Sequence, residues 1–235
     1  MRILAADDDL VSRLAMEDVL RQCGEPELVL AEDGAGAWRQ LAGAACFDLV
    51  CLDVRMPPPD GLELVARLRA APGLKRVPAM LITSTADRNT VLGATRSDLQ
   101  GFIVKPVGPD TVGRIQRVLA QLDAGILEPV ESAIVRLRVD TERHARYVGA
   151  FRQQVQSLCG LAQELASSAG GAHARAAFAQ KADACRTAAL TLGAPRLEQL
   201  ISDALALLAA GQPGADRAMA QAAYWLERVV GARPL

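Results

Sequence analysis

Two fold classes are expected in succession along this chain: an α/β half on a five-stranded, parallel, doubly wound sheet, then an all-α half built as a four-helix bundle. Three observations predict this. Up to about residue 123, short apolar runs rich in Val, Ile and Leu alternate with amphipathic stretches, and runs lacking a polar face suit parallel strands covered on both sides. Carboxylates and hydroxyls gather where the first, third and fourth runs end, at Asp7-Asp8-Asp9, at Asp53 and at Thr83-Ser84-Thr85. Beyond residue 132 the strand pattern stops, and Ala, Leu, Gln and Arg fill long stretches broken by Gly and Pro, as short loops between antiparallel helices require.

Taken in order, strands are expected at roughly 2–6, 27–31, 48–53, 77–83 and 101–104, with helices near 12–23, 34–43, 61–70, 87–97 and 109–123. Right-handed crossovers turn such units into an open sheet that takes its ligands at the carboxyl edge of the strands. Gly125 and Pro129 punctuate residues 124–132, which therefore read as a linker between domains at 1–123 and 133–235. The bundle helices are expected near 140–168, 173–191, 196–210 and 215–230, parted by Gly170-Gly171, Gly193-Ala194-Pro195 and Gly211-Gln212-Pro213-Gly214.

Composition narrows the function classes. With 235 residues and 51% apolar content the chain can fill two cores. The net charge is −1, with the half up to Asp123 acidic by three and the rest basic by two. Neither half carries the charge of a nucleic-acid binder. Five cysteines without a C-x-x-C spacing suggest neither a disulfide framework nor a zinc site, and a reducing cytoplasm suits them. Apolar runs such as Ala204 to Ala210 fall far short of the ~20 residues of a membrane span. Met1-Arg2-Ile3-Leu4 leads straight into the acidic cluster, so no membrane or targeting segment is expected.

The acidic pocket suggests phosphoryl chemistry. A carboxylate can accept a phosphoryl group when a metal neutralises the incoming oxygens and a cation with a hydroxyl holds the group in line. Asp7 and Asp8 would supply oxygen ligands to Mg²⁺, and Asp53 would be both ligand and nucleophile. Lys105 would neutralise phosphoryl charge while Thr83 donates a hydrogen bond to it.

The segments Ile3-Leu4-Ala5-Ala6-Asp7-Asp8-Asp9, Asp48-Leu49-Val50-Cys51-Leu52-Asp53-Val54-Arg55-Met56-Pro57, Asp60-Gly61 and Gly101-Phe102-Ile103-Val104-Lys105-Pro106 resemble, in order, the signatures of the response-regulator receiver domain. The resemblance covers about half the chain. It implies phosphorylation of Asp53 by a histidine kinase or a histidine-phosphotransfer protein, a metal site completed by the backbone carbonyl of Arg55, and a cis Lys105-Pro106 peptide. It further implies that Thr83 and Phe102 form a switch, with a small residue such as Ser84 after the threonine. Arg55 and Thr85 stand where family members tune attack of water on the acyl phosphate; the Arg55 side chain either shields the phosphoryl group or is simply solvated.

The second half resembles the histidine-phosphotransfer (HPt) domain through Ala182-Asp183-Ala184-Cys185-Arg186-Thr187-Ala188-Ala189-Leu190-Thr191-Leu192-Gly193-Ala194, followed by Leu197, with Asp140 opening the first helix and Phe151 on it. In that register Asp183 replaces the nucleophilic histidine, Arg186 a lysine and Thr187 a glycine. A carboxylate brings repulsion and weaker nucleophilicity to an aspartyl phosphate, so this face would dock without relaying. The plainer reading of Asp183 and Arg186 is an exposed i, i+3 pair. The two histidines, His173 and His144, are expected as solvated residues near helix starts. The function expected is a cytoplasmic response regulator with no enzymatic output, whose pseudo-phosphotransfer bundle binds a further protein or pairs two copies of the chain. The alternative is a phosphorelay intermediate with His173 or His144 as carrier, and scattered arginines on the helices speak against nucleic acid.

Overall fold

The computed structural model describes residues 1–84, 99–167 and 172–231. The expected helix at 87–97, Thr85 and the Gly170-Gly171 break lie outside the described residues. By its internal contacts the chain divides into two compact units, residues 1–71 with 75–120 and residues 72–74 with 121–235.

The first unit follows a βα order: β1 (Arg2–Ala6), α1 (Leu10–Arg21), β2 (Glu27–Ala31), α2 (Gly34–Ala42), β3 (Leu49–Asp53), α3 (Gly61–Ala70), β4 (Ala79–Thr83), β5 (Gly101–Val104) and α4 (Pro109–Ala124), whose last turn passes the division. The five strands are parallel, in the order β2-β1-β3-β4-β5. Every residue of β3 and β4 is buried, whereas β2 and β5, at the sheet edges, are partly open. This accounts for the unbroken apolar runs Leu49-Val50-Cys51-Leu52 and Ala79-Met80-Leu81-Ile82, since a central strand has no solvent face. Aspartates start the helices. Asp9 accepts the Ser12 amide at the head of α1, and Asp60 exchanges hydrogen bonds with Glu63 in a capping box at the head of α3. Strand order reverses between β1 and β3, and the crevice beyond their carboxyl ends is where such a sheet places its ligand.

The second unit is helical, with α5 (Val130–Leu137), α6 (Thr141–Ser167), α7 (Ala172–Thr191), α8 (Pro195–Ala209) and α9 (Ala215–Gly231). The four long helices pack each on the next, and α9 returns to α6. Phe151, Phe178, Leu197 and Trp225 fill the interior of this four-helix bundle. A left-handed Gly193, φ +63°, makes the turn between α7 and α8, and Pro195 opens α8.

Residues 124–132 differ from the expected linker. Ile126 and Leu127 are buried in the bundle core, and α5 begins at Val130. Arg196 stacks 4.0 Å over Trp225 and donates to the Leu122 carbonyl at 3.0 Å, while Arg228 binds Asp123. Gly125 and Pro129 do stop helices, but the apolar pair between them gains more from burial than from serving as a tether. Among the described residues no helix is long and apolar enough to cross a membrane.

Candidate functional site

The carboxyl edge of the sheet gathers the acidic residues. Asp7 follows β1 directly, and its amide donates to the Ala31 carbonyl at 3.2 Å. Its Oδ1 accepts the Asp9 amide at 3.1 Å, and its carbonyl accepts from Arg13 Nη1 at 2.7 Å. Asp53 ends β3, where its Oδ2 accepts the Arg55 amide at 2.9 Å. Lys105, just past β5, donates its amide to the Thr83 carbonyl at 2.8 Å and precedes a cis proline. Its ammonium lies 2.8 Å from Asp53 Oδ1 and 2.9 Å from Asp7 Oδ2. Asp8 is exposed, yet Asp7, Asp8 and Asp53 each bring a carboxylate oxygen within 4.8 Å of the others.

Three carboxylates thus face one ammonium. Burial foremost, with the neighbouring Asp7 charge, raises the Asp53 carboxyl above its usual range, against the hydrogen bond and charge of Lys105. Burial works against the Lys105 charge, but the hydrogen bonds to Asp53 and Asp7 outweigh it and raise that amine. Asp7 Oδ2 is fully buried and, beyond the Lys105 ion pair, has no regular hydrogen-bond partner. An all-oxygen cluster whose negative charge exceeds the one ammonium beside it, with a buried oxygen held by that ammonium alone, fits a small hard divalent cation such as Mg²⁺.

The response regulator receiver domain model matches residues 3–115. A curated relative, the chemotaxis protein CheY1 of Helicobacter pylori, is 30% identical over 112 residues, covering 48% of this chain and 90% of its own length. CheY-3 of Vibrio cholerae is 35% identical over 106 residues, covering 45% and 81%. The chain belongs to the response-regulator receiver family. Among solved structures, the receiver domain of a sensor histidine kinase from Pseudomonas aeruginosa, described with a magnesium ion in its active-site cleft, covers 52% of this chain and 95% of its own at 26% identity and a TM-score of 0.45.

The remaining receiver positions fall around this pocket. Thr83 ends β4 beside β3, is buried, and donates its hydroxyl to the Ser84 carbonyl at 3.0 Å. Phe102 lies on the edge strand β5 and is half-buried, its carbonyl accepting from Arg114 at 2.9 Å. Arg55 enters the pocket through its amide.

On the bundle, Asp183 is 67% exposed on α7 and pairs with Arg186 at 3.3 Å. Arg186 also reaches Glu198 on α8 at 3.0 Å, and Ser202 donates to the same carboxylate at 2.7 Å. The Ser202 hydrogen bond, then Arg186, lower the Glu198 carboxyl. Thr187 turns its hydroxyl back to the Asp183 carbonyl at 3.1 Å. Glu198 escaped the sequence reading because it sits on another helix, twelve positions after Arg186. Leu190, one helical turn beyond Thr187, is 62% exposed. His144 corrects the expectation of a solvated residue. It is 3% exposed, since it precedes Val148, Phe151 and Val155 at i+4, i+7 and i+11 on the buried stripe of α6. His173 is exposed in the first turn of α7, about 15 Å along the helix from Asp183.

Gly61 acquires a physical reason that spacing alone did not supply. A Cβ there would lie 2.2 Å from the Asp53 carbonyl oxygen, and one at Gly34 would lie 1.7 Å from the Pro59 carbonyl oxygen. Both obstacles are backbone and cannot rotate away. Gly61→Ala is therefore expected to destabilise the receiver by about 1–3 kcal/mol, read by urea denaturation in a Trp225→Phe background so that Trp38 reports alone. Unchanged stability would contradict the close approach of α3 to the Asp53 backbone.

Proposed function

We propose that this protein is a cytoplasmic response regulator that accepts a phosphoryl group on Asp53 from a histidine kinase or a histidine-phosphotransfer protein. The observation that carries this reading is the Lys105 ammonium bridging Asp53 and Asp7 beside a third carboxylate, at the edge where the sheet presents ligands. Asp7, Asp8, Asp53 and the Arg55 carbonyl would hold Mg²⁺. When bound, the ion would supply the positive charge that offsets the phosphoryl oxygens. Asp53 attacks phosphorus through a carboxylate oxygen that burial makes more basic, the bond from phosphorus to the donor nitrogen breaks, and the imidazole departs. Lys105 takes up the charge of the new phosphoryl group, and Thr83 turns its hydroxyl from the Ser84 carbonyl to a phosphoryl oxygen. That rotation frees the aromatic ring of Phe102 to move inward as the second part of the switch.

The bundle is proposed as a pseudo-phosphotransfer module that binds a further protein of the same signalling chemistry, a kinase or a receiver, without relaying phosphate. What supports this reading is that Asp183, which replaces the nucleophile in the register of the resemblance, is exposed, and that a groove of about 520 Å³ lined by Tyr147, Phe151, Ala184, Thr187 and Leu192 lies near it, partly on the same helix. Burial keeps a second protein from reaching the His144 imidazole, and His173 stands too far along α7 to share the Asp183 position.

Acetyl phosphate with Mg²⁺ is expected to label the wild-type protein on Asp53, and Asp53→Asn or Lys105→Ala to lose most of that label, as read by intact-mass spectrometry. Full acid-labile, alkali-labile label in Asp53→Asn would overturn the assignment. Label should not pass to residues 130–235 of the wild type, whereas Asp183→His should acquire partial transfer from a phosphorylated receiver. Alkali-stable phosphate on His173 or His144 of the wild type would make the protein a working relay instead.

A further inference from the structure

The Asp8 carboxylate stands without a tether of its own among the described residues. It is exposed, although it must converge on Asp7 and Asp53 to within 4.8 Å. What aims such a side chain is the backbone on which it stands. The peptide joining Asp7 to Asp8 is fixed from one side by the Asp7 carbonyl, which accepts from Arg13 Nη1 at 2.7 Å.

Arg13 lies in the first turn of α1, one residue past Ser12, whose amide is capped by Asp9. The helix is thus tied to the acidic loop twice, once by the Asp9 carboxylate reaching forward and once by the Arg13 guanidinium reaching back. The other groups of Asp7 are already engaged: its amide by Ala31, its Oδ1 by the Asp9 amide and its Oδ2 by Lys105. Without Arg13, the Asp7-Asp8 peptide plane would be the one free element in this frame.

We propose that Arg13 is a positioning residue for the metal pocket, setting the plane of the Asp7-Asp8 peptide and through it the direction of the Asp8 carboxylate. This rests on the reading of the pocket as a Mg²⁺ site. Two effects of Arg13 oppose each other, which makes the proposal decidable by sign. A guanidinium near an acidic cluster repels an incoming cation, so deleting its charge alone would tighten Mg²⁺ binding. Holding a ligand in place preorganises the site, and losing an outer partner of a metal ligand typically weakens binding 10–100-fold.

The test uses full-length protein with Arg13→Met, which keeps the side-chain stem and suits a helix, and Arg13→Lys, which restores a donor. Two readouts are taken: the Mg²⁺ dissociation constant by calorimetry, and hydrogen exchange of the Asp9 amide in metal-free protein. Arg13→Met is expected to raise the Mg²⁺ Kd about tenfold and to speed Asp9 exchange, with Arg13→Lys recovering most of both, while amides of β3 and β4 keep their protection. Equal or tighter Mg²⁺ binding in Arg13→Met, with Asp9 protection intact, would overturn the proposal. If the wild type binds no Mg²⁺ at all, the metal reading falls instead, and the Asp9 amide in metal-free protein still decides whether Arg13 holds the loop.

Discussion

Negative charge crowded at one sheet edge is the constraint on which the rest of this receiver depends. Asp7, Asp8 and Asp53 converge to within 4.8 Å, and a single ammonium, Lys105, lies against two of them. Such an arrangement is costly for folding alone, because burial of Asp53 and Asp7 forfeits hydration that one cation only partly replaces. The surrounding structure therefore over-determines the pocket. Two buried strands end side by side, α3 presses its glycine on the Asp53 backbone, Asp9 and Arg13 bind the acidic loop to α1, and the Lys105 amide is fixed to the end of β4. Polar strain kept in one place by apolar rigidity elsewhere is how a functional site persists in a stable fold.

Much of this was legible in the sequence, because its signals were local or periodic. The strands stood out as apolar runs without a polar face, and the acidic cluster fell at strand ends that a parallel sheet must bring together. Spacing, however, reports which residues share an edge and not what ties them. The Arg13 bond to the Asp7 carbonyl and the approach of Gly61 to Asp53 arise from backbone positions that no side-chain pattern encodes. His144 departs from expectation for a related reason. Its position near a helix start suggested solvent, while its register with Val148, Phe151 and Val155 on α6 places it inside.

The bundle shows the same division between local and distant information. Its helices were readable from composition and from the Gly and Pro breaks, but residues 124–132, which those breaks marked as a linker, carry Ile126 and Leu127 into the core. The Asp183 and Arg186 pair was visible at i, i+3, whereas Glu198 and Ser202, which extend it into a two-helix polar cluster, came from α8. Exposure of Asp183 together with an adjacent apolar groove supports a face for recognition, and the absence of an imidazole at that position accounts for why recognition is proposed without transfer.

Relief of the carboxylate cluster by a hard divalent cation is the property on which the function of this pocket turns. The most direct measurement is the thermal unfolding of full-length wild-type protein with and without MgCl₂, at ionic strength matched with NaCl, alongside Asp8→Asn. A ligand that binds only the folded state stabilises it by about 1.4 kcal/mol at tenfold excess over its dissociation constant. The midpoint of the receiver transition is expected to rise, to saturate with Mg²⁺, and to rise less in Asp8→Asn. Identical melting curves with and without millimolar Mg²⁺ would contradict that expectation.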